Sequence, residues 1–259
     1  MKHIATISFR KDSTVMCDLL LKNKYPLDYI VFTDTLLEFP MMYEYKEKVT
    51  RYFKDRYGVK VITTKPDTTF EHWCFGEIKD DNAKMNGYIR GIPMVWSEPC
   101  YWRREAKVKP QDKLFKDIGE HKIYIGFTLD EAHRRMLDDK FLYPLIDDFM
   151  MSELDCQEYL INQEMQNPLY NFFSRTGCAV CPAQSDKAWF QIWKYFPDTW
   201  NYMKDIEKRL FKYPKVKNKY WFDSYRTCAD MEKQFINADR QGSLFDFSDE
   251  PLKDCFCKI

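Results

Sequence analysis

Ile4-Ala5-Thr6-Ile7-Ser8-Phe9-Arg10-Lys11-Asp12-Ser13-Thr14 joins a short apolar run to a cluster of polar and charged residues. The run, Ile4–Ser8, has the length and composition of a buried parallel strand. A helix is predicted from Ser13 to about Asn23, with Val15, Met16, Leu19 and Leu20 on one face. A strand that turns through such a cluster into a helix is a phosphate site in outline. The first N–H groups of a helix have no partner within it, and they carry the positive end of its dipole. Lys11 adds a point charge, and the hydroxyls of Ser8, Ser13 and Thr14 add donors. The bland alternative is a polar strand-to-helix turn capped by Ser and Asp.

The pattern continues outward from this stretch. Asp28–Asp34 reads as a second strand, and Met41–Tyr57 as a helix with Met42, Tyr45, Val49, Tyr52 and Phe53 at helical spacing. Gly58 ends that helix, and Val59–Thr64 reads as a third strand. This β-α-β-α-β order calls for an α/β fold, a doubly wound, mostly parallel sheet. Residues 66–120 carry Pro66, Pro93, Pro99 and Pro110 and read as loops and short helices. Ile123–Phe127 reads as another buried strand and Phe141–Leu145 as a short edge element. Beyond it the chain turns helical. Ser152-Glu153-Leu154-Asp155 is a capping-box-like start for a helix to about Gln166, and further helices follow from Ser185 and from Thr199. The tail from Arg240 reads as loop. The expected division is a nucleotide-binding α/β domain over 1–150 and a helical C-terminal region over 151–259.

Composition narrows the classes. The 40 Lys+Arg balance 40 Asp+Glu, so a globally basic nucleic-acid binder is not indicated, although a local patch is open. Hydrophobic residues at 45% argue against a disordered chain. No run approaches the length of a membrane span, and the N-terminus lacks a signal-peptide layout. Nine Cys without such a signal point to a reducing, cytoplasmic setting, where cysteines bind metal, do chemistry or pack as small hydrophobes.

Three further features carry chemistry. Asp34-Thr35 follows the second strand, at the carboxyl end where open sheets bind ligands, with Glu38-Phe39-Pro40 behind it. The alternative there is a helix-capping Asp. Gly126-Phe127-Thr128-Leu129-Asp130-Glu131 with Arg134 and Arg135 follows a later strand, and its acids and arginines suit Mg²⁺ and a triphosphate, or simply a solvated helix start. Cys178-Ala179-Val180-Cys181-Pro182 gives two thiolates the bite for one metal centre; the alternatives are a redox dithiol or an inert pair. Cys100, Cys255 and Cys257 are candidate partners for that pair, Cys17 and Cys156 fall in helical patterns and read as packing residues, and Cys74 and Cys228 are open. A basic and aromatic stretch (Lys204 to Trp221) suits either a nucleic-acid strand or a solvated face over core aromatics.

In this order, the features resemble the PAPS reductase-like branch of the N-type ATP pyrophosphatases, in the adenine nucleotide alpha hydrolase-like superfamily. That family's loop reads Ser-Gly-Gly-Lys-Asp-Ser, which Ser8, Lys11, Asp12 and Ser13 match. Asp34-Thr35 with Phe39-Pro40, Pro99-Cys100 with Lys107 and Pro110, and Gly126 with Asp130-Glu131 and Arg134 resemble its later motifs. Arg175-Thr176-Gly177-Cys178 through Pro182, with Phe196-Pro197 and Trp200, is similar to phage and bacterial members close to the DNA-phosphorothioation sulfurtransferase subunit. The resemblance runs from about residue 3 to 212. Two positions depart from it. The paired glycines are Phe9-Arg10, a bulky pair that would reshape or block the loop or let Arg10 bind phosphate, and an expected arginine is Thr128.

The resemblance implies nucleotide binding by Ser8, Phe9, Arg10, Lys11, Asp12, Ser13, Thr14, Asp34, Thr35, Gly126, Asp130 and Glu131, with Lys11, Asp12 and Arg134 catalytic. It implies ATP, Mg²⁺ and an iron–sulfur cluster on Cys100, Cys178, Cys181 and Cys255 or Cys257, with zinc as the alternative metal. The implied reaction is adenylation of a nucleic acid or nucleotide with loss of pyrophosphate, followed by sulfur displacement from a donor protein. The alternatives are a sulfonucleotide reductase, with Cys255 or Cys257 as nucleophile, and a non-catalytic nucleotide-binding protein with structural zinc.

Overall fold

A computed structural model describes residues 1–80 and 84–241. In chain order the first elements are β1 (Lys2–Ile7), α1 (Lys11–Lys22), β2 (Tyr29–Thr33), α2 (Pro40–Tyr57), β3 (Val61–Thr64) and α3 (Phe70–Cys74). Then come β4 (Ile89–Gly91), α4 (Tyr101–Arg103), a π-helical turn (Arg104–Val108), α5 (Lys109–Ile118), β5 (His121–Tyr124), a 3-10 segment (Leu129–Arg134), β6 (Phe141–Leu142) and α6 (Pro144–Asp147). The last are α7 (Glu153–Asn162), α8 (Asp186–Tyr195), α9 (Pro197–Leu210), β7 (Val216–Asn218) and α10 (Cys228–Gln241). Contacts group the described chain into one unit of residues 1–66 and 106–176 and a second of residues 67–105 and 177–241. The first unit thus extends past residue 150 to take in α7, and the second begins well before it.

The first unit is the expected α/β domain. Its five-stranded sheet is all parallel, in the order β3-β2-β1-β5-β6. Ile4 of β1 sits level with Tyr29 of β2 on one side and Ile123 of β5 on the other. The chain leaves β1 toward β2 and β3, then returns to the opposite side of β1 for β5. The carboxyl ends of β1 and β5 therefore flank a topological switch point, where open α/β sheets bind ligands. Ile4, Ala5, Ile30 and Val31 are fully buried, as the unbroken apolar runs demand.

Helix boundaries moved where local chemistry decides them. α1 begins at Lys11, two residues before the predicted start, because Arg10 takes the extended cap conformation. β3 begins at Val61 rather than Val59, and β5 ends at Tyr124 rather than Phe127. The capping box at α7 is present, with Ser152 and Asp155 exchanging side-chain-to-backbone bonds. Buried Asp18 of α1 ties three helices together. It accepts from Tyr57 of α2 at 2.9 Å and from Tyr159 of α7 at 2.5 Å.

The second unit is built on aromatic packing. Trp189, Trp221, Phe222 and Phe235 are fully buried, and the Trp221 indole N–H donates to the Met203 carbonyl. β4 and β7 pair in parallel. Gly91 makes that pairing possible, because a Cβ there would lie 1.9 Å from the Asn218 carbonyl oxygen. The buried carboxylate of Glu207 accepts from the Cys228 N–H at 3.0 and 3.2 Å, at the first residue of α10.

Burial pushes the Glu207 carboxyl up to about 7, against the opposing bonds from Cys228. The folded chain therefore holds this proton more tightly than the unfolded chain. Stability is full below the ordinary carboxylate range and is lost as pH rises through about 7. The full cost is about 3 kcal/mol. Glu207→Gln keeps an acceptor for Cys228 and removes the charge. Urea midpoints at pH ~5 and ~8 should therefore differ less in the variant than in the wild type; an unchanged difference would refute the assignment.

Candidate active site

The loop after β1 sits at the switch point, and its backbone explains its sequence. Phe9 has φ 53, the left-handed conformation that a glycine adopts freely. Its ring is fully buried and meets Phe32 of β2 edge-on at 5.0 Å. Phe9 thus occupies a glycine's backbone position while its side chain points into the core, and its bulk does not block the loop. Buried Asn167 donates to the Phe9 carbonyl at 3.1 Å and holds the turn from outside the motif. Ser13 closes it from within, accepting from the Ser8 N–H at 3.1 Å and lying 3.0 Å from the Ser8 hydroxyl.

Gly126 has a packing role. A Cβ at this position would lie 3.0 Å from the Ser13 Cα and 3.1 Å from its nitrogen. A side chain here would crowd the backbone of α1's first turn, so glycine favours the close approach of the segment after β5. The first N–H of α1 has a partner outside the helix: Lys11 N–H donates to the Tyr170 hydroxyl at 3.2 Å. A phosphate would have to share or displace that phenol.

Three carboxylates converge beside Lys11. Oxygens of Asp12, Glu131 and Glu153 lie within 4.8 Å of one another, the sole group of three such ligand residues among the described residues. Lys11 Nζ pairs with Glu153 at 2.9 Å, and Arg134 pairs with Glu131 at 2.6 Å. Arg134 also lies over the Phe127 ring at 4.8 Å. Burial works to lower the Lys11 ammonium, but Glu153 and Asp12 outweigh it and the net shift is upward, so Lys11 stays cationic. Such a set of hard oxygens with balancing cations suits a divalent ion carried by a polyphosphate.

The remaining predicted residues divide. Asp34 orders its own loop, accepting from the Leu36 N–H at 2.8 Å and the Tyr43 hydroxyl at 2.9 Å. Thr35 donates to Glu38 at 2.9 Å. Burial pushes the Glu38 carboxyl up, against the opposing charge of Arg10 and the bond from Thr35. Asp130 accepts from the Glu153 N–H at 2.6 Å and caps α7 instead of joining the acidic group. Thr14 is fully buried, and so is Thr128, which presents no charge where the resembling family has arginine.

Comparison with known proteins decides the family. Residues 2–184 match the Phosphoadenosine phosphosulfate reductase domain. The chain belongs to this family. It is also similar to an uncharacterized protein of Methanocaldococcus jannaschii, 27% identical over 198 residues. That match covers 76% of this chain and 39% of the relative, so the chain spans well under half of that relative's length.

The family match reaches through the CxxC segment. Cys178 and Cys181 bracket a tight turn, with the Cys181 N–H donating to the Cys178 carbonyl at 3.1 Å. Gln184, which the sequence reading passed over, staples it by donating to the carbonyls of Cys178 at 3.3 Å and Ala179 at 3.0 Å. Cys178, Cys181 and Cys100 are half-buried. Cys17, Cys74, Cys156 and Cys228 are buried instead, and burial drives their thiols upward, to about 12 for Cys74. The described cysteines thus separate into inert packing residues and three accessible ones. Cys255 and Cys257 lie outside the described residues.

Proposed function

We propose that the chain is an ATP-dependent sulfurtransferase of this family that adenylates a nucleic acid or nucleotide, releases pyrophosphate and carries a cysteine-bound iron–sulfur cluster. The observation that carries this reading is the site at the β1/β5 switch point. There the first turn of α1, Lys11 and three convergent carboxylates meet under the close approach of Gly126. In the reaction, a substrate oxygen attacks the α-phosphorus of ATP, the bond to the β-phosphate oxygen breaks and pyrophosphate leaves. The adenylated oxygen is then a leaving group, and a sulfide-equivalent donor displaces it as AMP. Lys11, with Arg10 nearby, neutralises the charge that gathers on the departing pyrophosphate. Asp12, Glu131 and Glu153 would hold Mg²⁺, which spreads that charge.

Cys100, Cys178 and Cys181 would hold the cluster, because they are the accessible thiols and two of them share a stapled turn. When bound, it supplies iron able to take up sulfur. The test is pyrophosphate release from ATP by anaerobic protein, with nucleic-acid and nucleotide acceptors. A second reading, sulfonucleotide reduction, is favoured by the family's own description. It predicts sulfite from PAPS with a thiol donor and no pyrophosphate from ATP.

A further inference from the structure

The second unit contains a cavity of about 430 Å³, and all of its described lining residues belong to that unit. Small-molecule sites commonly run about 300–1,000 Å³. One part of the wall is apolar and aromatic, with Trp73, Tyr101, Ile92 and Pro93. Among the described lining residues, Lys84, Arg90, Arg104 and Lys217 outnumber Glu98 and Glu105.

The cations are held by the fold. Arg90 lies on β4 and Lys217 on β7, and the parallel register Ile89↔Val216 and Gly91↔Asn218 sets them level. Lys217 is already balanced by Glu98 at 2.6 Å and rests over the Tyr101 ring at 4.7 Å. Arg90 spends one donor on the Trp73 carbonyl at 3.4 Å, and Arg104 is exposed. Two guanidinium groups beside the half-buried Trp73 ring and the exposed Tyr101 ring match a ligand with a planar, weakly polar body and a phosphate.

We propose that this cavity binds a nucleoside 5′-phosphate unit, free or as one residue of a single strand. The base lies against Trp73 and Tyr101, and the phosphate is held by Arg90 and Arg104. Tyr101 directly follows Cys100, so the bound unit lies beside a cysteine assigned to the metal centre. The bound unit is of the chemical class on which the proposed sulfur transfer acts. That last step rests on the functional reading above, whereas the binding does not.

The experiment is calorimetric titration of the full chain with thymidine 5′-monophosphate and with a short oligothymidylate. Arg104→Gln and Tyr101→Ala, both at exposed positions, should each weaken binding by about tenfold. Lys11→Gln should leave it unchanged, which separates this site from the one at the sheet. Tighter binding of the oligonucleotide assigns a single strand, and equal or tighter binding of the monophosphate assigns a free nucleotide; either result supports the proposal. No binding of either probe at millimolar concentration overturns it. So does binding that both cavity variants keep, or that Lys11→Gln abolishes. Pyrophosphate release and metal content are read on the same samples, so a failed sulfurtransferase reading leaves the binding result standing.

Discussion

Lys11→Gln should lower ATP-driven pyrophosphate release by about a hundredfold or more, equivalent to about 3 kcal/mol of lost transition-state stabilisation. The variant keeps the length and packing of the stem and removes the only charge at the first position of α1. The fold should hardly notice. The pair with Glu153 spans 2.9 Å, and Glu153 is 39% exposed, so it contributes at most about 1 kcal/mol to stability. Steady-state release with saturating ATP, beside a urea melt, separates the two effects. An active Lys11→Gln enzyme would place the phosphate-binding charge elsewhere, and an unfolded one would make Lys11 structural.

Phe9→Ala should destabilise the chain by about 3–4 kcal/mol, because it empties a fully buried ring site in contact with Phe32. Phe9→Gly should cost about 1 kcal/mol less than the alanine variant, since the left-handed backbone at φ 53 strains any residue with a Cβ. This reverses the usual ranking of glycine below alanine. Denaturant unfolding of the two variants reads the order directly. A glycine variant less stable than the alanine variant would mean that Phe9 does not occupy a motif glycine's conformation.

Much of the sheet was readable because its strands are short apolar runs. The loop at Ser8–Thr14 was readable because phosphate chemistry needs those residue types in that order. The acidic group was only partly readable. Asp12 and Glu131 lie in motifs, but Glu153 lies in an ordinary capping box, and only the packing of α7 against α1 brings it to Lys11. Gly126 reads in the sequence as a nucleotide contact, and its closeness to Ser13 shows only in three dimensions. Asp34 and Asp130 have motif spacing yet spend their carboxylates on nearby backbone and hydroxyl groups. α10 was missed although Cys228, Met231, Phe235 and Ala238 recur at helical spacing and are buried. The basic stretch near the C-terminus meets acidic partners: Lys204 pairs with Glu232, Arg209 with Glu71 and Lys217 with Glu98. Such pairing depends on residues far away in sequence.

The most direct measurement is the iron, acid-labile sulfide and zinc content of the full chain purified without oxygen, alongside Cys178→Ser. The wild type should hold iron and sulfide in equal amounts and absorb near ~400 nm, and Cys178→Ser should lose both while Cys156→Ser keeps them. Zinc alone, or no metal in the wild type, would contradict a cluster-bearing sulfurtransferase.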